Sequence, residues 1–252
     1  MELKKICDWL DDVFKDYKCE KDMSNNGVQV AGTPEVKRIA FAVDACLETI
    51  EKAAEGGADM LFVHHGLSWK EGFKRLTGNK AERFRKLFQS NLSLYALHLP
   101  LDSHEELGNN AVLAKWLNLN VTKRFYDYHG IDIGMLCKLD APMLSSELLE
   151  RVRCRVSPDA KLIDNSGGVI NCIALIAGGG DFDFDIIRNA GADCLVTGEV
   201  RHKWWHDAQE ANVSLISAGH YATEVTGVQA LMAKVSAELQ LETFFIDAPT
   251  GF

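Results

Sequence analysis

Apolar positions along the chain follow two rhythms. Between residues 3 and 17, Leu3, Ile6, Leu10, Val13 and Phe14 recur at helical spacing and predict one amphipathic helix. Elsewhere apolar residues crowd into short runs, at 38–43, 58–63 and 92–97. Runs of that length predict strands buried on both faces, as in a parallel sheet. Residues 47–54 have a helical pattern and stop at Gly56-Gly57, so 38–63 reads as a βαβ unit. Ahead of it, residues 25–32 predict a turn, a short strand and a glycine stop.

The same grammar returns later in the chain. Residues 172–177 predict a strand, Gly178-Gly179-Gly180 its exit, 184–190 a helix and 192–196 a further strand. The echo extends to the letters. Gly57-Ala58-Asp59-Met60-Leu61 is answered by Gly191-Ala192-Asp193-Cys194-Leu195, and Asn91-Leu92-Ser93-Leu94 by Asn212-Val213-Ser214-Leu215. The first half carries an extra loop, 67–78, with Trp69, Phe73, Lys70, Lys74 and Arg75. Residues 120–134 read as the connection between halves, with a strand at 131–139 and a helix at 145–152 after it. The expectation is an α/β fold of two similar βαβ-containing halves, 1–125 and 126–252, with the N-terminal segment as a candidate closure of the second.

Composition narrows the function classes. The chain has 252 residues, is 47% apolar and carries a net charge of −9. That charge disfavours a broad nucleic-acid or anionic-membrane surface, so an anionic small substrate would need a local cation. No apolar run approaches the ~20 residues of a membrane span, and residues 1–10 lack a signal-peptide pattern. The seven cysteines contain no CxxC and lie mostly among apolar residues, which reads as reduced thiols of a cytoplasmic protein. No Gly-x-Ser-x-Gly elbow is present, and no cysteine sits in an evident electropositive turn.

Candidate chemistry gathers where strands end. In parallel α/β sheets, sites form beyond the carboxyl ends of the strands. His64-His65, the stretch from His98 to Asp102, Thr197-Gly198-Glu199 and the stretch from His220 to Glu224 all follow predicted strands. Gly66 is expected to permit a turn that aims both adjacent imidazoles at one place. His220 and Glu224 share a face if a helix opens at His220. Imidazole plus carboxylate suits Zn, Mn, Fe, Ni or Co better than Mg or Ca. Five donors, His64, His65, Asp102, His220 and Glu224, exceed what one open four-coordinate site needs and suit two divalent metal ions per chain. Asp102 competes with a solvated-turn reading, because His104 and Glu105 follow it. Glu199 is a candidate general base or orienting partner, and His98, His202 and His206 candidates for proton transfer or for holding ligands in place. Of Trp204-Trp205, one ring is expected in the core and the other at an interface or pocket wall. The triple glycine lacks phosphate-loop spacing and is followed by Asp181, Asp183 and Asp185, so it reads as a turn.

These segments resemble the NIF-three-like family, the GTP cyclohydrolase 1 type 2 homologues. The resemblance rests on Asn26-Gly27-Val28-Gln29-Val30, Val63-His64-His65-Gly66, His98-Leu99-Pro100-Leu101-Asp102, Gly191-Ala192-Asp193 with Thr197-Gly198-Glu199, and Gly219-His220-Tyr221-Ala222-Thr223-Glu224. It implies two α/β halves around a dinuclear metal site with Glu224 bridging, His65 and Asp102 on one ion, and His64 and His220 on the other. It also implies a ring-shaped homohexamer without an inserted domain. The activity it implies is a metal-dependent hydrolase in which an activated water attacks a purine nucleotide ring; Glu199 and His98 are the candidate catalytic groups for it. Lys70, Lys74, Arg75 and Arg201 would meet the phosphates. A dinuclear phosphoesterase or peptidase, and a non-catalytic metal-binding scaffold, are the alternatives.

Overall fold

The computed structural model describes residues 1–252, and the chain divides into two compact units. The first comprises Met1–Leu101 with Val228–Ala248, the second Asp102–Gly227 with Pro249–Phe252. The sequence pattern placed the break near residue 125 and gave the C-terminal stretch to the second half. Strand pairing moves it: β11 (Glu242–Phe245) lies parallel to β2 (Arg38–Asp44), so that stretch joins the first sheet.

In the first unit, helix α1 (Leu3–Val13) ends earlier than the periodicity predicts, with a 3-10 turn at Lys15–Tyr17. It is followed by β1 (Gly27–Val30), β2, α2 (Leu47–Glu55), β3 (Met60–His65), α3 (Gly78–Gln89) and β4 (Ser93–Ala96). The sheet order is β1-β4-β3-β2-β11, parallel except for the β1 edge. Successive side chains point to opposite faces of a strand. Ala40, Ala42, Leu61, Val63, Leu94 and Ala96 accordingly pack with Ile50 and Ala53 of α2 and Phe84 and Leu87 of α3. The alternate positions Phe41, Phe62 and Tyr95 form a ladder with ring centroids 5.2 and 5.8 Å apart.

The second unit contains α5 (Asn109–Trp116), β5 (Lys123–Tyr128), β6 (Ile131–Leu144), α6 (Ser145–Arg155), β7 (Lys161–Ile163), β8 (Val169–Ile176), α7 (Phe184–Asn189), β9 (Cys194–Thr197), α8 (Trp204–Glu210) and β10 (Ser214–Ser217). Helix α4 (Leu99–Ser103) precedes these, and α9 (His220–Leu239) follows. The sheet order is β5-β6-β8-β9-β10-β7, with β8, β9 and β10 parallel. Residues 120–134 are more than a connection: β5 and β6 form an antiparallel hairpin, because Phe125 and Tyr126 carry buried rings that loop polarity would not require. Alternation again divides the core. Ile173, Leu175, Cys194, Val196 and Ile216 face α5 and α6, while Ala174, Ile176, Leu195 and Leu215 face Phe184 and Trp204. Trp204 is buried and Trp205 exposed, as the helical reading expects.

The sequence echo marks equivalent positions. Met60 pairs with Ser93 across β3–β4, and Cys194 with Ser214 across β9–β10. The Asp59 carboxylate accepts the Lys37 and Arg38 N–H groups at 2.7 and 3.1 Å, closing the start of β2. Asp193 does the same for β8, accepting from Asn171 and Cys172. At the far ends, Leu97 N–H donates to Val63 O and Ala218 N–H to Thr197 O. No disulfide joins the cysteines, and no helix is long and apolar enough to cross a membrane.

Candidate metal centre

In the first unit the histidine pair is the end of β3 itself, not a turn beyond it. His64 is fully buried, and its Nδ1 meets the Leu97 carbonyl at 2.9 Å. His65 pairs across the sheet with Asp44, the last residue of β2, and its Nδ1 lies 2.9 Å from Asp44 Oδ1. Gly66 serves close approach rather than a left-handed turn. A Cβ there would meet the Gln29 side-chain amide at 2.4 Å and Ala96 Cβ at 2.6 Å. Gln29 uses the space to accept the Leu67 and Ser68 N–H groups, which fixes the loop that follows.

His98 belongs to the same cluster. The donor atoms of His64, His65 and His98 lie within 4.8 Å of one another. His98 Nδ1 is 2.8 Å from Asp22 Oδ1, and its backbone N–H donates to Asn26 Oδ1. Burial alone would raise the Asp22 carboxyl. The hydrogen bonds from His98, Asn26 and the Ser24 N–H outweigh it and hold the pKa below its ordinary value. Trp69 sets its ring edge-on to His98 at 5.1 Å, and its Nε1–H donates to Gly66 O.

In the second unit Asp102 is 8% exposed, which excludes the solvated-turn reading. Its Oδ1 accepts from Asn109 Nδ2 at 2.8 Å. Asn109 in turn accepts the Gly227 N–H and the Thr226 hydroxyl, so Asp102 is tied to α9, the helix that carries His220 and Glu224. That helix opens at His220, and the two residues share a face: His220 Nε2 is 3.1 Å from Glu224 Oε1. His220 Nδ1 is 2.6 Å from Glu199 Oε1, the contact that an orienting partner would make. Burial lowers the His220 pKa, but hydrogen bonds and charge from Glu224 and Glu199 outweigh it and push it up to about 9.

The triple glycine is a turn with a purpose. Gly178 has φ +66°, and a Cβ there would stand 2.1 Å from Glu224 Oε1. His202 and His206 are exposed on and before α8 and join no donor group. Three residues escaped the sequence reading: Asp22, Asp44 and Asn109. Asp44 ends a strand and was within reach of the strand-end rule. Asp22 sits in an aperiodic loop, and Asn109 opens a helix with no local cue to its partner.

A family model described as Duf34/NIF3 (NGG1p interacting factor 3) matches residues 1–251. A Pyrococcus horikoshii protein named GTP cyclohydrolase 1 type 2 homolog is 42% identical over 253 residues, covering 100% of each chain. Among solved structures, protein ybgI superposes with a TM-score of 0.92 at 31% identity over 99% of each chain. A Thermus thermophilus protein does so with a TM-score of 0.89 at 34% identity over 100% of each. The chain belongs to the DUF34/NIF3 family.

Proposed function

We propose that this protein is a divalent-metal-dependent hydrolase with a dinuclear centre whose ligands are His64, His65, Asp102, His220 and Glu224. The observation that carries the reading is how the imidazoles are held. The Nδ1 atoms of His64, His65 and His220 are engaged by a carbonyl, Asp44 and Glu199 respectively. That arrangement fixes the tautomer, directs Nε2 outward and raises donor basicity. The nitrogen and carboxylate mixture suits Zn, Mn, Fe(II), Ni or Co. In this reading His64, His65, Asp102, His220 and Glu224 would be the residues that hold the ions.

Bound ions of this class lower the pKa of water and polarise the group it attacks. The chain's own residues do the rest. His98 lies beside both His64 and His65, with ring centroids 5.1 and 5.6 Å away, and takes up and returns the proton. Asp22 holds its ring in place. Glu199 positions His220. The substrate class is a purine nucleotide, following the name of the relatives. Lys74 pairs with Glu71, and Arg201 leans on Asp181 and the Trp204 ring, so Lys70 and Arg75 are the cations of choice for its phosphates. A homohexameric ring in the cytoplasm belongs to the same reading, and solution mass tests the assembly.

The deciding experiment is metal content of tag-free protein, unaltered and as Glu224→Ala. About two first-row ions per chain, mostly lost in the variant, are expected. Loaded protein is then given GTP, nitrophenyl esters and peptides. Two bound ions with GTP unchanged would exclude the nucleotide substrate. No metal after reconstitution would exclude the hydrolase and favour the scaffold.

A further inference from the structure

His98 is the histidine of the cluster that the five-donor set leaves out, yet it is held as firmly as the others. Its Nδ1 is taken by Asp22, whose side chain is 2% exposed. Asp22 also accepts the Ser24 N–H at 2.9 Å, the Asn26 amide at 2.8 Å and the Leu99 N–H at 3.0 Å. A carboxylate with that many donors has no freedom to turn, and neither has the imidazole it holds. Trp69 closes one side of the ring. A histidine kept only for packing needs no such device. Here the device keeps a ring nitrogen of His98 within 4.8 Å of ring nitrogens of His64 and His65.

Three imidazoles bound to one tetrahedral ion at ~2.0–2.1 Å place their nitrogens about 3.4 Å apart. The separations of the three donors, within 4.8 Å, exceed that spacing by at most about 1.4 Å. All three, with their supports Leu97, Asp44 and Asp22, lie in the first unit.

We infer that the first unit by itself holds one divalent transition-metal ion through Nε2 of His64, His65 and His98, with Asp22 as the residue that positions His98. This deepens the metal-centre reading and rests on it for the class of ligand alone. Loading is then stepwise. The first ion takes an all-nitrogen site. His98 would be a ligand in the singly loaded chain and would carry the proton once both ions are bound.

The test uses Co(II) and the tag-free full chain. His220→Ala/Glu224→Ala, checked for folding by circular dichroism, should retain one Co(II) per chain with visible d–d absorption. Adding His98→Ala or His98→Gln should weaken that binding at least tenfold and change the spectrum. Asp22→Asn should keep the stoichiometry and weaken affinity about 10–100-fold. One equivalent of Cu(II) on the unaltered chain reads the same site without mutation, with three coupled imidazole nitrogens expected in the electron paramagnetic resonance. If the double variant binds no ion while the unaltered chain binds two, or if only two nitrogens couple, the inference is overturned and the dinuclear reading stands. If both chains bind one ion that His98→Ala removes, the inference stands and the dinuclear reading falls.

Discussion

Replacing Gly178 by alanine adds one methyl group against Glu224. The new Cβ would lie 2.1 Å from Glu224 Oε1, 3.0 Å from its Cδ and 3.2 Å from His220 Nε2. A relaxed carbon–oxygen contact needs roughly 3.2–3.4 Å, so the carboxylate oxygen must retreat by about 1 Å. Glu224 is 4% exposed and has no solvent to swing into. Metal–ligand distances tolerate only about ±0.2 Å. The loss of affinity should therefore reach at least the ~10–100-fold that outer-shell changes produce. A separate effect falls on stability. At φ +66° an L-residue costs about 1–2 kcal/mol, which lowers the thermal midpoint of the metal-free chain by roughly 2–8 °C. Metal titration by calorimetry, with melts in the presence and absence of metal, measures both. Two ions bound by Gly178→Ala at the unaltered affinity would refute the close packing of Gly178 on Glu224.

The His220 imidazole is pushed up from 6.5 to about 9 in the metal-free chain. A raised folded pKa contributes stability that is complete below 6.5 and disappears as pH rises through 9. Melting temperature of metal-free protein should fall across that window, and less so in Glu199→Gln; an equal fall in both would remove Glu199 from the pair. Asp59→Ala and Asp193→Ala each strip two strand-opening N–H groups of their acceptor, and urea unfolding should show about 1–2 kcal/mol lost in each with metal content unchanged. Loss of metal in either would show that these aspartates do more than close strands.

Local pattern determined a good deal about this protein. Helical and strand periods set out both βαβ units, because a buried face imposes its spacing on neighbouring residues. The recurrent Gly-Ala-Asp marked equivalent turns, since the same carboxylate closes the start of the preceding strand in each unit. Strand ends pointed to His64, His65, Asp102, His220 and Glu224 because chemistry collects there in parallel sheets. Other features were decided only by tertiary structure. The C-terminal stretch joined the first sheet through β11 and β2, a pairing that no local period encodes. Residues 120–134 became a hairpin because Phe125 and Tyr126 found a core to enter. The imidazoles owe their orientation to Asp44, Asp22 and Glu199, each at least 21 residues away in sequence. Periodicity reports which face of an element is buried. Which distant carboxylate meets which ring nitrogen is settled only when loops without any period close over the ends of the strands.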